Sequence, residues 1–115
     1  MNTTIYIIQD SGDKNFSSLL AMSNDIIVVS NRDCPVFGNH EDHVKNIREK
    51  LKYFNAEKDY LVLVGDPINI GLSMHGVLKK GGGVNVLKWD RQTKGYMPIK
   101  LDIDLKKEVT NGRDK

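Results

Sequence analysis

The sequence YLVLVGDP, residues 60–67, decides the fold of this chain. Its first five residues are all apolar, which is typical of a strand that is covered on both faces of a sheet. Asp66 belongs to the residues favoured as a helix N-cap, and Pro67 at the first helical position lacks only a donor that the first turn leaves unpaired. The stretch therefore predicts an interior strand that runs directly into a helix.

Helical patterns lie on both sides of this strand. The helix that starts at Pro67 is predicted to continue to Lys80, because Gly81–Gly83 follow as a stop signal. Upstream, apolar residues at helical spacing predict a helix over residues 40–54, with Asn39 as its N-cap. Its apolar stripe consists of Val44, Ile47, Leu51 and Phe54.

Four further strands complete the predicted sheet. They cover residues 3–8, 25–30, 84–89 and 96–103, while Phe16–Met22 reads as a short helix or an ordered loop. Strand-helix-strand units cross over with right-handed connections and give parallel neighbours. We therefore predict an α/β fold: a small Rossmann-like or flavodoxin-like, mostly parallel sheet with two main helices and a C-terminal antiparallel β-hairpin.

Composition restricts the class of protein. The 115 residues fit one domain, predicted over 1–105, followed by a charged tail at 106–115 that should fray. A net charge of +2 implies no general affinity for nucleic acid. Cys34 is the only cysteine, so no internal disulfide is possible, and the longest apolar runs are strand-sized. We expect a cytoplasmic protein with no membrane segment.

Carboxylates follow three of the predicted strands, at Asp10, Asp33 and Asp66. Ligands of parallel sheets bind beyond the carboxyl ends of the strands, so these residues, with Gly65 and Asn69 in the strand-to-helix turn, could hold a phosphate or nucleotide. Mg²⁺ is the only cofactor implied, and only under this hypothesis. The alternative is purely local, because aspartate is favoured in turns and at N-caps. The turn matches neither GxGxxG nor the P-loop pattern.

A thiol and two histidines form the remaining candidate for catalysis. Cys34 precedes Pro35, and His40 and His43 follow within one loop and helix start. A histidine can activate a thiolate, but no third orienting residue can be named. The two histidines also lack the HExxH zinc pattern, and we expect them in a solvated first turn. We assign no catalytic residue and no metal ligand. Enzyme activity stays open, and we predict a binding function in preference to catalysis.

The C-terminal hairpin is the most basic and aromatic part of the sequence. Lys88, Arg91 and Lys94 surround Trp89, with Tyr96 close behind, which suggests a nucleic-acid surface of charges and stacking rings. If Trp89 shares a face with Leu87, however, it belongs to the core instead. The exposed edges of the hairpin would also allow a homodimer.

Two motifs resemble a family of small proteins encoded by tailed bacteriophages. They are DYLVLVGDPINIG at Asp59–Gly71 and VLKWDRQ at Val86–Gln92, the latter followed by Tyr96 and Pro98. The resemblance implies a viral protein made in a bacterial cytoplasm, and it transfers no catalytic or binding residue. The predicted function is therefore that of a phage accessory protein that binds a host macromolecule, for host takeover or against host defence. Phosphate-ligand binding and nucleic-acid binding remain the alternatives.

Overall fold

The apolar stretch at residues 60–64 contains the central strand of a five-stranded sheet. In the computed structural model, which describes residues 2–103, β3 (Tyr60–Val62) lies between β1 (Thr4–Gln9) and β4 (Val84–Asp90) and is parallel to both. Leu61 and Val62 are fully buried. The predicted interior position of this strand is confirmed, although it ends two residues earlier than predicted.

The sheet has the strand order β2-β1-β3-β4-β5. At its two ends, β2 (Asp25–Ser30) pairs with β1 in parallel, and β5 (Gly95–Leu101) pairs with β4 in antiparallel. This order occurs in flavodoxin-like sheets, here with the last strand reversed. The predicted α/β class, with a mostly parallel sheet and a C-terminal hairpin, is confirmed.

The two helices begin where local sequence signals place them. In α2 (Pro67–Leu78) the Asp66 carboxylate accepts a hydrogen bond from the N–H of Ile68 at 3.1 Å, as expected of an N-cap. Helix α1 (Glu41–Lys50) has His40 as its N-cap, one residue later than predicted, while the Asn39 side chain accepts from the N–H of Glu41.

Both helices cover the same face of the sheet. Their apolar side chains pack against sheet residues that include Tyr6 and Leu61. The packed residues are Ile47 of α1, Leu51 directly after it, and Val77 of α2. The opposite face is covered by a short 3-10 helix, Ser17–Ala21, whose Leu19 is buried against Ile5, Ile7, Val62 and Leu87. Right-handed connections explain this division. The connection after β1 leads to one edge of the sheet, whereas those after β2 and β3 lead towards the other edge, so they cross over opposite faces.

A lysine that follows the other helix closes the turns after α1. Helix α1 stops at Lys50, four residues before the predicted end, and turns follow it. The Nζ of Lys80, just after α2, donates hydrogen bonds to the carbonyls of Leu51, Lys52 and Phe54 at 2.7, 2.6 and 3.3 Å. Burial lowers the pKa of Lys80, and the nearby Asp59 carboxylate opposes that shift. Lys80 thus connects the end of α2 to the turns that follow α1.

Within residues 2–103, no helix is both long enough and apolar enough to cross a membrane. The predicted tail at 106–115 and the last residues of the predicted domain lie outside the described part of the chain.

Candidate functional site

The side chain of Gln9 occupies the crevice at the carboxyl ends of β1 and β3. Its Oε1 accepts hydrogen bonds from the N–H of Asp66 and from Nδ2 of Asn69, both at 2.8 Å. Its Nε2 donates to the Asp33 carboxylate at 2.6 Å and to Ser11 Oγ at 3.3 Å. In such sheets, ligands usually bind in the crevice between the two central strands whose following connections run towards opposite edges of the sheet. Here the protein fills it with its own amide group.

Asn69 extends this network beneath α2. Its Nδ2 also donates to the carbonyl of Arg32 at 2.9 Å, and its Oδ1 accepts from Nε2 of His43 at 2.6 Å. Asn69, His43 and Gln9 are all buried. Buried amides of this kind need every donor and acceptor satisfied, and Asn69 achieves this by joining β1, α1 and the loop after β2. The network therefore fixes these three parts of the chain relative to one another.

Gly65 allows Gln9 to enter the crevice. It has a φ of +111°, and a Cβ at this position would lie 2.3 Å from the Cβ of Gln9. A side chain here would be strained by the backbone conformation and would collide with Gln9. The glycine in the strand-to-helix turn therefore serves internal packing.

The three predicted carboxylates are only partly brought together. Asp33 and Asp66 both contact the network around Gln9, and Asp66 additionally accepts from the N–H of Cys34 at 2.8 Å. Asp10 instead accepts from the N–H of Gly12 at 2.9 Å, in a local turn. In the range 2–103 no three His, Cys, Asp or Glu side chains are grouped to hold a metal ion. Binding of phosphate or nucleotide at these residues stays a prediction.

A polar groove of about 520 Å³ lies between the end of β2 and α1. Charged side chains of both signs line it, among them Arg32, Lys50, Asp10 and Glu49. His43 also borders this groove, but its ring nitrogen is already bonded to Asn69. The expectation that His43 lies in a solvated first turn is therefore wrong, because the helix start packs onto the buried network.

The loop after β2 projects two apolar side chains into solvent. Phe37 is 88% exposed and Val36 is 82% exposed. At the base of the loop the carbonyl of Pro35 accepts a hydrogen bond from Nε2 of His40 at 2.6 Å, and Cys34 is tied to Asp66. The loop, defined here as residues 31–39, is thus anchored on both sides of its apolar tip. It is called the display loop below.

The hairpin separates the charges and rings that the sequence places together. Trp89 pairs with Tyr96 across the two strands and Lys88 with Met97, so Trp89 and Lys88 point to opposite faces of the sheet. The rings of Trp89 and Tyr96 have centroids 5.1 Å apart, and Phe16 stacks on Tyr96 at 6.3 Å.

Trp89 lies on the same face as Leu87 but is 44% exposed, so sharing that face does not place it in the core. Arg91 and Lys94 are exposed at the hairpin turn, beyond this aromatic cluster. Nucleic-acid binding through Lys88, Arg91 and Lys94 stays a prediction.

A comparison with protein-family models matches residues 3–103 to the family described as phage Pam3 gp32-like protein. The chain belongs to this family. The match takes in every strand and helix of the phage protein described above. Neither the comparison with curated proteins nor the comparison with solved structures gave a match. The resemblance to a phage family is confirmed at the level of the family, while the particular motif pattern is not addressed by the match.

Sequence reasoning missed two residues of the network in this phage protein. The strand predicted over residues 3–8 leaves Gln9 outside the sheet, yet Gln9 is the last residue of β1 and is buried. His43 was expected in solvent. A signal for His43 does exist, since it precedes Ile47 by four residues and therefore shares the buried stripe of α1. For Gln9, no local pattern indicates a side chain that turns back into the crevice.

Proposed function

We propose that this phage protein acts by binding a host protein through the display loop, in the cytoplasm of the infected bacterium. The observation that carries the proposal is the exposure of Val36 and Phe37 at the tip of an anchored loop. Large apolar side chains are usually buried in a monomer, and an aromatic residue surrounded by polar groups is the common anchor of a protein interface. A role in host takeover or in countering host defence would follow from such binding.

Anchoring of the loop supports binding because it reduces the entropy that a partner would have to overcome. The N–H of Cys34 is held by Asp66, and the carbonyl of Pro35 is held by His40. On the far side of the tip, Asn39 accepts from the N–H of Glu41 at 2.8 Å. A loop that is ordered before association loses less conformational freedom when it binds.

Neighbouring residues suggest the chemistry of the partner. Ile68 is exposed in the first turn of α2, whose N-cap Asp66 accepts a hydrogen bond from the display loop, so it offers a further apolar side chain on the element that anchors the loop. Exposed acids border the loop at Asp33, Glu41 and Asp42. The matching surface on a host protein is an apolar pocket with a basic rim.

The filled crevice supports binding over catalysis. In related sheet architectures a ligand meets the backbone N–H groups at the start of the helix after a central strand. In this protein the N–H of Asp66 is bonded to Gln9 and the N–H of Ile68 to the Asp66 carboxylate. A phosphate group would have to displace these internal bonds.

The test is capture of host proteins from a lysate of the host bacterium with tagged variants of the full chain. The double variant V36D/F37D should reduce capture of the specific partner at least about tenfold, as expected for loss of an apolar anchor. The matched control is Y53D, which changes an 81% exposed aromatic residue beyond the opposite end of α1 and should capture the partner like the wild type. The partner is then purified, and its affinity for each variant is measured by calorimetry.

Two results would overturn the proposal. One is equal capture by the wild type and by V36D/F37D. The other is absence of any specific host protein together with turnover of a small molecule by the pure protein.

A further inference from the structure

The outer edge of β2 presents unpaired backbone groups within the described part of the chain. Of the strands in residues 2–103, only β1 pairs with β2. The carbonyl of Ser30 accepts from the N–H of Asp10, the residue that follows β1, so Ser30 and Val28 direct their backbone groups towards β1. By alternation, Ile27 and Val29 direct their N–H and C=O groups outward. An edge of this kind is a template for another strand.

The opposite edge of the sheet is protected. The carbonyl of Leu87 accepts from the N–H of Leu63, so Leu87 directs its backbone towards β3, and its partner Pro98 therefore faces away from β4. Proline has no N–H, so the outer edge of β5 lacks a donor at its centre. Lys100 adds a charge two residues further on. No proline or lysine occurs in β2, which reads DIIVVS.

We propose that the outer edge of β2 pairs with β2 of a second copy of this chain, in antiparallel orientation about a two-fold axis at Val28. In this register Ile27 of one copy lies opposite Val29 of the other, so the outward N–H and C=O groups of both residues are satisfied reciprocally. The side chains of Val28 from the two copies meet directly across the axis. The two sheets become one continuous sheet.

The charges along the edge are complementary in this arrangement. The antiparallel register brings Asp25, at the start of β2, beside the segment Asn31–Arg32 that follows β2 in the other copy. Both residues are exposed, and opposite charges at corresponding strand ends favour this orientation over the parallel one. The groove between β2 and α1 carries Glu49 and Lys50, so the neighbouring α1 helices would also meet with both signs of charge.

The test measures the mass of the full chain in solution by sedimentation equilibrium. The wild type should have twice the 13.0 kDa mass of the single chain. The single variants D25R and R32D each place like charges together and should weaken the dimer at least about tenfold, which corresponds to 1.4 kcal/mol. The double variant D25R/R32D exchanges the two charges and should restore the dimer. Asp25 and Arg32 are exposed, but D25R also removes the hydrogen bond that the Asp25 carboxylate accepts from Thr4 Oγ1, so circular dichroism checks that each variant is folded.

Two further variants locate the interface. K100E changes an exposed charge beside the protected edge and should leave the dimer intact. I27P removes an outward donor of β2 without removing a bond to β1, and should give a monomer that retains the circular dichroism of the wild type. A wild type that stays monomeric at about 100 μM, where a micromolar dimer would be assembled, overturns the proposal. A dimer that responds to K100E and not to the charge exchange overturns it as well.

Discussion

Asn69 and Ser73 lie one helical turn apart on the buried face of α2, but they differ in hydrogen bonding. Asn69 makes three side-chain hydrogen bonds, to Gln9, to the carbonyl of Arg32 and to His43. The Ser73 hydroxyl is buried and has no partner among the described residues. A buried polar group that loses its partner costs more than the hydrogen bond contributes, so the two residues should respond oppositely to truncation.

The variant N69A should therefore lower the free energy of unfolding by about 3 kcal/mol, because it removes three hydrogen bonds and leaves Nε2 of the buried His43 without its partner. The matched variant S73A should leave stability unchanged or raise it by about 1 kcal/mol, since it removes an unsatisfied hydroxyl and favours the helix. Urea unfolding followed by circular dichroism measures both. Similar losses in the two variants would contradict this account of the network.

Residues with local roles were predictable, whereas residues with long-range partners were not. Asp66 was identified as an N-cap because the capping signal lies within three residues of sequence. Gln9 contacts groups that lie 24, 57 and 60 positions away along the chain. A short stretch of sequence around Gln9 contains none of those partners, so local patterns cannot predict these contacts. The display loop was recognised as a loop, but exposure of Phe37 depends on which other elements fold over it.

At the scale of elements, Pro98 removes the central donor from the outer edge of β5, and Lys100 adds a charge beside it. The backbone of Pro98 faces away from β4, so the N–H that proline lacks is one that would point outward from the sheet. The variant P98T should introduce that donor and increase self-association, visible as higher light scattering at high protein concentration. The control M97T alters a neighbour whose backbone faces β4, and it should scatter like the wild type. Equal scattering by P98T and the wild type would contradict the protective role.

Strands were predicted more accurately than the helical segments. The apolar run DIIVVS gave the bounds of β2 correctly, because both ends are marked by polar residues. The periodicity of α1 continues to Phe54, which is buried, yet the helix stops at Lys50. Apolar spacing reports burial and not backbone conformation, so a turn that keeps Leu51 and Phe54 in the core looks like helix. The carbonyl contacts of Lys80 that close this turn are not visible in the sequence.

For the whole molecule, a tyrosine with a raised pKa lies on each face of the sheet, Tyr6 buried and Tyr96 partly buried. Tyr6 lies beneath the helices, where burial raises its pKa above the ordinary value of 10.0 and the carboxylates of Asp59 and Asp25 add to the shift. Tyr96 packs on the opposite face, and burial raises its pKa too. The folded protein therefore keeps both protons at a pH where the unfolded chain begins to release them.

This difference predicts alkaline destabilisation. The contribution of each tyrosine is complete below pH 10.0 and is lost as the pH rises through the folded-state pKa, at no more than about 1.4 kcal/mol per pH unit and group. Urea unfolding at pH 8 and pH 11 should show a smaller loss for Y6F and for Y96F than for the wild type, and the smallest for the double variant. The same loss in all four proteins would show that other groups govern this range.

The polar contacts beneath the display loop also have a kinetic consequence. If the display loop binds a host protein as proposed, the contacts at Cys34 and Pro35 are already made in the folded chain, so the base of the loop needs no rearrangement on binding. Complexes of pre-shaped surfaces commonly form at roughly 10⁵–10⁷ M⁻¹ s⁻¹ and differ from one another in how slowly they come apart. A virus that must engage its target soon after infection would profit from such prompt capture.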